Sequence, residues 1–462
     1  MAVRNGASVA RVFGKNRFYY RVFALAWPIV LQNFIAAFLN IIDTVMVGKL
    51  GETEIAAVGL ANQYFFFFHM FLIGLCAGCS VFIAQFWGTK DTRNIRRIVG
   101  IGLGSVALVA FFFMGLGYLF SEQIIAVFNN ETSVILLGAK YLRIVLAGYL
   151  FTAVTFLYSF ALRSIGDTFQ PMLISAAALL INVFFNYVFI FGKLGAPAMG
   201  VEGAALATVI ARVVETVFLV GSVYRQRGVL AASGRELFDV NLSYIKKTYR
   251  IIFPVLLNDL CWGLAAMVYT AVYGHMGSQV VAAIQIVNSV SNLFMVVIYG
   301  ISNAAAVMVG NCIGAGKVQQ GKVYARKFTR LSVAIGFLLG GLLAFASPYM
   351  LRFFNVSAQA LHYARIILYV VSAIFFIRVL DIILITGILR GGGDARYALL
   401  TEGFTMWFIG VPLTIGGAFL LKLPAYIVYT LAIVEEIVKC ALGLRRLRSG
   451  RWIKKVTRNI TG

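Results

Sequence analysis

The sequence predicts an all-α membrane protein of twelve transmembrane helices, in two six-helix bundles related by a parallel pseudo-two-fold repeat. Three observations carry that prediction. The 462-residue chain is 61% hydrophobic and only 12% charged, with a mean hydropathy of +0.89. That is more apolar surface than a soluble domain of this length buries. Apolar runs of about 20 residues recur along the whole chain. The second half also repeats the first.

The apolar runs place the helices in order. The first lies near 22–47, after a basic segment and before Gly51. The second, near 55–86, is bounded by Glu54 and Lys90, and the third, near 96–119, stops short of Glu122. The fourth, near 137–161, ends at "LRSIGD"; the fifth, near 171–192, ends at Lys193; the sixth, near 201–222, ends at Arg225. The seventh, near 247–273, follows Lys246 and Lys247, and the eighth, near 280–310, precedes Lys317. The ninth, near 329–350, follows Lys327; the tenth, near 363–388, runs into "LRGGGD"; the eleventh and twelfth lie near 398–421 and 424–443.

The net charge of +23 would suggest nucleic acid in a soluble protein, but here the basic residues cluster in alternate loops. Arg11, Lys15, Arg17 and Arg21 precede the first helix; Lys90, Arg93, Arg96 and Arg97 follow the second; Arg225, Arg227, Lys246 and Lys247 lie between the halves. Lys317, Lys322, Arg326 and Lys327, and the tail "RRLRSGRWIKK", complete the set, whereas the intervening loops carry Glu52, Glu54, Glu122 and Glu131. By the positive-inside rule both termini are cytoplasmic. The expected organisation is a cytoplasmic segment 1–21, an N-lobe 22–222, a cytoplasmic connector 223–246, a C-lobe 247–443 and a basic cytoplasmic tail 444–462. The basic N-terminus is expected to lead into an uncleaved first helix rather than a signal peptide. All five cysteines fall in apolar segments, so "CAGC" at 76–79 is read as small-residue packing, not redox chemistry.

"PIVLQN" at 28 matches "PVLLND" at 254, a shift of 226 residues that also maps "VGKLG" (47–51) onto "YGHMG" (273–277). The same shift carries Asn62 onto Asn288, Gly74 onto Gly300 and Gly88 onto Gly314, and "LRSIGD" (162–167) returns as "LRGGGD" (389–394). Six spans per half is an even number, so both halves enter the membrane from the same side and the repeat axis runs along the membrane normal. That is the architecture of an alternating-access transporter.

A charged Asp at the helix centre costs on the order of 3 kcal/mol on insertion scales and usually faces a cavity or a partner. Asp43, Asn186 and Thr208 all lie seven or eight residues from the outer loops, roughly 10 Å deep at 1.5 Å per residue. Asn182 is one turn deeper on the face of Asn186. A carboxylate, two amides and a hydroxyl make an oxygen-only site that suits Na⁺ or, through Asp43 alone, a proton. The alternative is that the amides bridge helices and Asp43 joins their network. In the second half Asp259 and Asp381 share a depth nearer the cytoplasm and form a second candidate coupling or substrate site. Asp259 has no partner on its own helix, while Asp381 can pair with Arg378 three residues away. Arg212 and Glu215 are expected to pair with one another, and Glu402, Glu435 and Glu436 to be interfacial. "FFFF" at 65–68 covers several helix faces, with one ring available to a cleft.

"WPIVLQNFIAAFLNIIDTVMVGKLGETEIAAVGLA", "ALRSIGDTFQPM", "INVFFNYVFIFGKLGAPAMGVEGAALAT" and "GILRGGGDARYAL" resemble the multidrug and toxic compound extrusion (MATE) family over essentially the whole chain after its first twenty residues. The resemblance implies a transporter of the cell membrane, not an enzyme: a Na⁺- or H⁺-coupled antiporter exporting cationic or amphipathic organic compounds. It implies no cofactor beyond the coupling ion, a monomer in the lipid bilayer, and no nucleic-acid partner. The family's N-lobe cation site falls on Asp43, Asn182, Asn186 and Thr208, with Asn186 where some members have Asp. Its helix 1 proline falls on Pro28, where a missing backbone hydrogen bond permits bending. The family's C-lobe acids correspond more loosely to Asp259 and Asp381.

Two other transporter classes share parts of this pattern. A lipid-linked precursor flippase of the same superfamily calls for a strongly cationic cleft, and several intramembrane acids argue against one. A major-facilitator protein calls for a "GxxxDRxGRR"-like loop, and "GTKDTRNIRR" has the wrong spacing. No HExxH or Ser/His arrangement points to a membrane enzyme.

Overall fold

The computed structural model describes residues 17–354 and 356–458, in which twelve long helices follow one another. The basic residues Arg11 and Lys15 lie outside the described residues. The helices are α1 (Arg17–Gly48), α2 (Glu52–Thr89), α3 (Thr92–Leu119), α4 (Thr132–Ile165), α5 (Phe169–Phe191) and α6 (Gly200–Arg225). There follow α7 (Leu242–His275), α8 (Ser278–Gly314), α9 (Val318–Leu351), α10 (Ala358–Leu389), α11 (Ala395–Leu420) and α12 (Ala425–Ser449). Among the described residues, eleven of these are long and apolar enough to cross a membrane. α12 is the other, because Glu435, Glu436 and Lys439 interrupt its apolar run. Several helices outrun the apolar stretch that marked them: α9 begins at Val318, eleven residues before the expected 329. The apolar window measures the hydrocarbon layer only, and a helix carrying Lys322, Arg326 and Lys327 continues into the polar interface.

The repeated "LR–GD" motif is a helix stop used twice. Gly166 ends α4 at φ +97°, its amide bonded to Arg163 O, while the Asp167 amide reaches back to Leu162 O at 2.9 Å. Gly393 ends the α10 segment at φ +87°, with the Asp394 amide on Leu389 O at 3.0 Å. This left-handed glycine turn satisfies the orphan carbonyls of a helix end and is why glycine and the residue after it repeat together.

Two compact units result. The first comprises Leu31–Ile83 and Asp91–Ile252; the second comprises the described residues up to Val30, Ala84–Lys90 and those from Phe253 onward. The opening turns of α1 and the last turns of α2 thus belong with α7–α12. In the second unit Phe18 packs edge-on against Phe328, with ring centroids 5.1 Å apart. A Cβ at Gly314 would collide with Gln85 O, and one at Gly88 with Asn311 O, so α2 and α8 touch backbone to backbone at a pair of repeat-related glycines. Past α12 the chain turns under the Gly391–Asp394 stop: Trp452 is fully buried, Gln85 bonds Lys454 O and the Val456 amide, and buried Asp394 pairs with Arg446 and Lys454.

In the first unit α5 lies along α6, where Gly203 meets the Phe189 backbone, and α3 lies along α4, where Gly102 meets Leu157; the same glycine also meets Cys79 of α2. The five cysteines are free thiols, four of them buried. Between α6 and α7 a short helix, Gly234–Phe238, opens with a capping box in which Ser233 and Glu236 satisfy one another's backbone amides. It is clipped onto the start of α3: Arg96 bonds Glu236 and Val229 O, while Arg93 and Arg97 both bond Asp239. Gly100 admits the Leu237 carbonyl, which any side chain there would exclude.

The Ser233 amide, and then Arg96, hold the Glu236 carboxyl below its ordinary range, as Arg93 and Arg97 hold Asp239. A carboxylate with a depressed folded value stabilises above its unfolded value and loses that contribution as pH falls through the folded one. The clip is therefore intact at neutral pH and opens below about pH 4. Hydrogen exchange at residues 234–238 should accelerate in that acid range, and Asp239→Asn should bring part of the acceleration to neutral pH. Exchange in 234–238 that is independent of pH, after correction for the intrinsic rate, would show that the clip is held by packing alone.

Candidate functional site

Four residues singled out by depth meet in the first unit. Asp43 stands on α1, Asn182 and Asn186 one turn apart on α5, and Thr208 on α6. Asn186 Nδ2 donates to Asp43 Oδ1 at 2.8 Å and to Asn182 Oδ1 at 3.3 Å. Asn182 Nδ2 lies 3.5 Å from Thr208 Oγ1, and that hydroxyl donates to Ala204 O at 2.9 Å. Both asparagines are buried; Asp43 and Thr208 are half-buried.

The site is rich in acceptors. Asn186 Oδ1 is buried without a hydrogen-bond partner. In the alternative orientation of its amide, Asn182 donates to Asp43 Oδ2 at 3.0 Å and Oδ1 at 3.2 Å. In the first orientation two oxygens face each other across that gap, a spacing that a shared proton or a bound cation also satisfies. Four side chains from three helices thus supply oxygens to one small volume, which is what a hard monovalent cation or a proton requires.

These residues line a cavity of about 490 Å³ in the first unit, within the usual range of small-molecule pockets. Phe65, Phe66, Tyr141 and Tyr149 bring aromatic faces to it. Of the "FFFF" run, Phe65 and Phe66 line the cavity, while Phe68 is buried and stacks on Tyr149 at 4.4 Å. His69 also reaches the cavity, its ring edge-on to Phe156 at 4.8 Å.

Arg212 and Glu215 line the same cavity, a placement that spacing along α6 did not reveal. They pair as expected, at 2.9 Å. Glu215 also accepts from Ser175 at 2.6 Å; Ser175 accepts from Gln32 at 2.8 Å; and Gln32 accepts from Arg163 at 2.7 Å. Every donor in this chain points towards the Glu215 carboxylate, tying α1, α4, α5 and α6 together. Gln32 and Arg163 stand in the two repeated motifs, and that was the signal available in the sequence.

Asp259 and Asp381 belong to the second unit. Asp259 is not unpartnered: Arg390, at the end of α10, bonds it at 2.5 Å. Asp381 does not pair with Arg378. Its partner is Lys439 at 3.5 Å, and Arg378 turns instead to Glu436 at 2.8 Å. Both partners come from α12, because helix packing, not sequence spacing, brings the better-placed opposite charge. Glu402 and Glu435 are buried, at 8% and 4% exposure, rather than interfacial, and Glu436 is held by Arg378.

The profile of the MatE family matches residues 28–188 and 254–415, one copy in each sequence half. The chain belongs to the MatE family. It is therefore a multi-pass membrane transporter and not an enzyme. It is 26% identical over 434 residues to a probable multidrug resistance protein NorM of Thermotoga maritima, covering 93% of this chain and 92% of that one. It is 24% identical over 438 residues to an uncharacterized transporter, YisQ, of Bacillus subtilis, covering 94% and 95%. A crystal structure of a MATE protein in the bent conformation has the same fold, with a TM-score of 0.84 at 19% identity over 96% of this chain and 98% of that one.

Glu215 is where the hydrogen-bond chain of this MatE protein converges. Glu215→Ala should lower thermal stability in detergent by about 1–3 kcal/mol, because Arg212, Ser175 and Gln32 lose their common acceptor. Glu215→Gln keeps an acceptor for Ser175 and should cost less. Equal melting temperatures for the wild type and Glu215→Ala would reduce the chain to incidental contacts.

Proposed function

We propose that this protein is a multidrug efflux transporter that exchanges a monovalent cation, Na⁺ or H⁺, for cationic or amphipathic organic compounds, by alternating access. The observation that carries the reading is the Asp43 carboxylate. It opens on an aromatic-walled cavity and is ringed by amide and hydroxyl groups instead of a basic partner. The multidrug role of the NorM relative supports the same reading.

The chemistry follows from competition. A cation or proton on Asp43 neutralises the cavity and favours release of an organic cation. Once that ion leaves, the carboxylate attracts a substrate whose apolar body packs on Phe65, Phe66 and Tyr149 and whose charge is drawn to Asp43 and the ring faces. Each ligand weakens the other's binding by the same factor, as linkage requires. Arg212 does not cancel this attraction, because its charge is already matched by Glu215. A proton shared between Asp43 Oδ2 and Asn182 Oδ1 fits their 3.0 Å separation, and Na⁺ would take the same oxygens together with Thr208.

Pro28 lies within α1 and has no amide hydrogen to give the preceding turn, so α1 is weakest there and can bend between Val22 and Gln32. A bend in that turn would displace Gln32 and, through it, the Glu215 chain beside the cation site. The basic loops support cytoplasmic termini and a plasma-membrane location.

One assay tests three of these roles. In vesicles under separate Na⁺ and pH gradients, Asp43→Asn should insert normally and lose gradient-driven efflux by roughly the 5- to 150-fold typical of a coupling energy. An amide keeps most of the hydrogen bonds but cannot change charge. Asn186→Ala should lose less, and Pro28→Ala should slow turnover at unchanged expression. Wild-type export by Asp43→Asn under both gradients would make the carboxylate a structural bridge.

Orientation has its own test. Cysteines placed at Ser243 and Gln320 should react with an impermeant thiol reagent only from the cytoplasmic side, and one at Ser278 only from outside. The reverse pattern would invert the topology.

A further inference from the structure

The hydrogen-bond chain that ends at Glu215 has a counterpart in the second unit. The 226-residue shift carries Gln32 onto Asn258, and a shift of 227 carries Arg163 onto Arg390 and Ser175 onto Glu402. The contacts are carried over with the residues. Arg163 Nη2 donates to Gln32 Oε1 at 2.7 Å, and Arg390 Nη2 donates to Asn258 Oδ1 at 2.8 Å. Gln32 Nε2 donates to Ser175 Oγ at 2.8 Å, and Asn258 Nδ2 donates to Glu402 Oε2 at 2.5 Å. Two units that share no sequence identity at these links, apart from the arginine, keep the same wiring.

The ends of the two chains differ in charge. The 227-residue shift holds through Pro197 and Pro424 and through Val201 and Val428, and it places Lys439 at the position of Arg212 and Glu435 at that of Thr208. The 226-residue shift puts Tyr269 where the first unit has Asp43. The first unit therefore gathers neutral oxygens around one carboxylate. The second gathers carboxylates around one ammonium.

Lys439 Nζ lies 3.5 Å from Asp381 Oδ2, 3.7 Å from Glu435 Oε1 and 4.0 Å from Glu402 Oε1. Its side chain is 4% exposed. None of the three is a tight charge-assisted hydrogen bond, which would be near 2.8 Å. The ammonium sits between the oxygens as a point charge does. The cage also holds more oxygen than this one group uses, since Asp381 Oδ1, Glu435 Oε2 and Tyr269 Oη are buried with no hydrogen-bond partner. A Cβ at Gly410 would collide with Tyr269 Oη and lie 3.2 Å from Glu435 Oε2, so both oxygens need the space that this glycine leaves open. Neighbouring charges are matched elsewhere, Arg378 by Glu436 and Asp259 by Arg390. Three carboxylates are left to the one ammonium.

We infer that the oxygen cage of Asp381, Glu402 and Glu435 is a monovalent-cation site that the chain fills with its own Lys439 ammonium. Glu435, Glu402 and Lys439 stand at the repeat positions of Thr208, Ser175 and Arg212, with the cation tethered, so the second unit contributes charge compensation but no exchangeable ion. This inference goes beyond the coupling role of Asp43 and does not rest on it.

The test removes both the tether and the first site. Lys439→Ala is made in an Asp43→Asn background, so that no cation response can come from Asp43. Thermal unfolding of the purified protein is then followed in ammonium, methylammonium, sodium and choline chlorides at equal ionic strength. Truncation leaves a hole large enough for methylammonium and too small for choline. A ligand that binds only the folded state raises its melting temperature by mass action. The double variant should therefore melt several degrees higher in ammonium or methylammonium than in choline, while the Asp43→Asn parent melts alike in all four salts. Identical melting in all four for the double variant would overturn the inference, because Lys439 would then be a packing element. If Lys439→Ala does not accumulate in membranes, the same measurements are made after adding Glu435→Gln, which removes one of the uncompensated charges. Recovery of folded protein with an ammonium-specific shift supports the tethered cation. Continued absence, or recovery with no salt preference, overturns it.

Discussion

The cost of leaving a charge unanswered in hydrocarbon, a few kcal/mol even on lenient scales, shows in how most of the enclosed acids among the described residues are paired. Glu215 is met by Arg212, Asp259 by Arg390, Glu436 by Arg378, and Asp381, Glu402 and Glu435 by Lys439. Asp43 differs from these acids in having no ion pair among the described residues. Its nearest groups are amides, which soften a negative charge without cancelling it. It shares its cavity with aromatic rings and with Glu215, where the hydrogen-bond chain ends.

The repeat shows how one wiring plan gives two electrostatic outcomes. Arginine at the end of each "LR" turn grips the amide of the proline-containing helix, and that amide grips the following helix hairpin. The glycine stop fixes where the arginine sits, because the left-handed turn ends α4 and α10 at the same point relative to the motif. With the frame held in this way, substitutions at a few end positions change the charges gathered there. Glu402 stands where the first unit has Ser175 and Glu435 where it has Thr208, while the cation is kept, Arg212 in one unit and Lys439 in the other.

Helix and loop positions were legible in the sequence because the forces that set them are local. Twenty apolar residues need hydrocarbon wherever they occur, a glycine able to adopt positive φ ends a helix where it stands, and depth along a helix is a count from the nearest loop. The meeting of Asp43, Asn182, Asn186 and Thr208 was legible for the same reason, since all four lie a similar count from one set of loops. The Arg212–Glu215 pair was legible because three residues along one helix are neighbours on its surface.

Partner choice between helices was decided only in the tertiary structure. Arg378 and Asp381 also stand three apart, yet each turns to α12, where Glu436 and Lys439 lie across the packed interface. Asp259 finds Arg390 from 131 residues away. A count of residues gives depth but not rotation about the helix axis, and each residue turns the face by about 100°. The sequence by itself determined which segments are helical, the glycine stops, the repeat and the count of each polar group from its nearest loop. The tertiary structure decided which faces meet, and so which opposite charges pair.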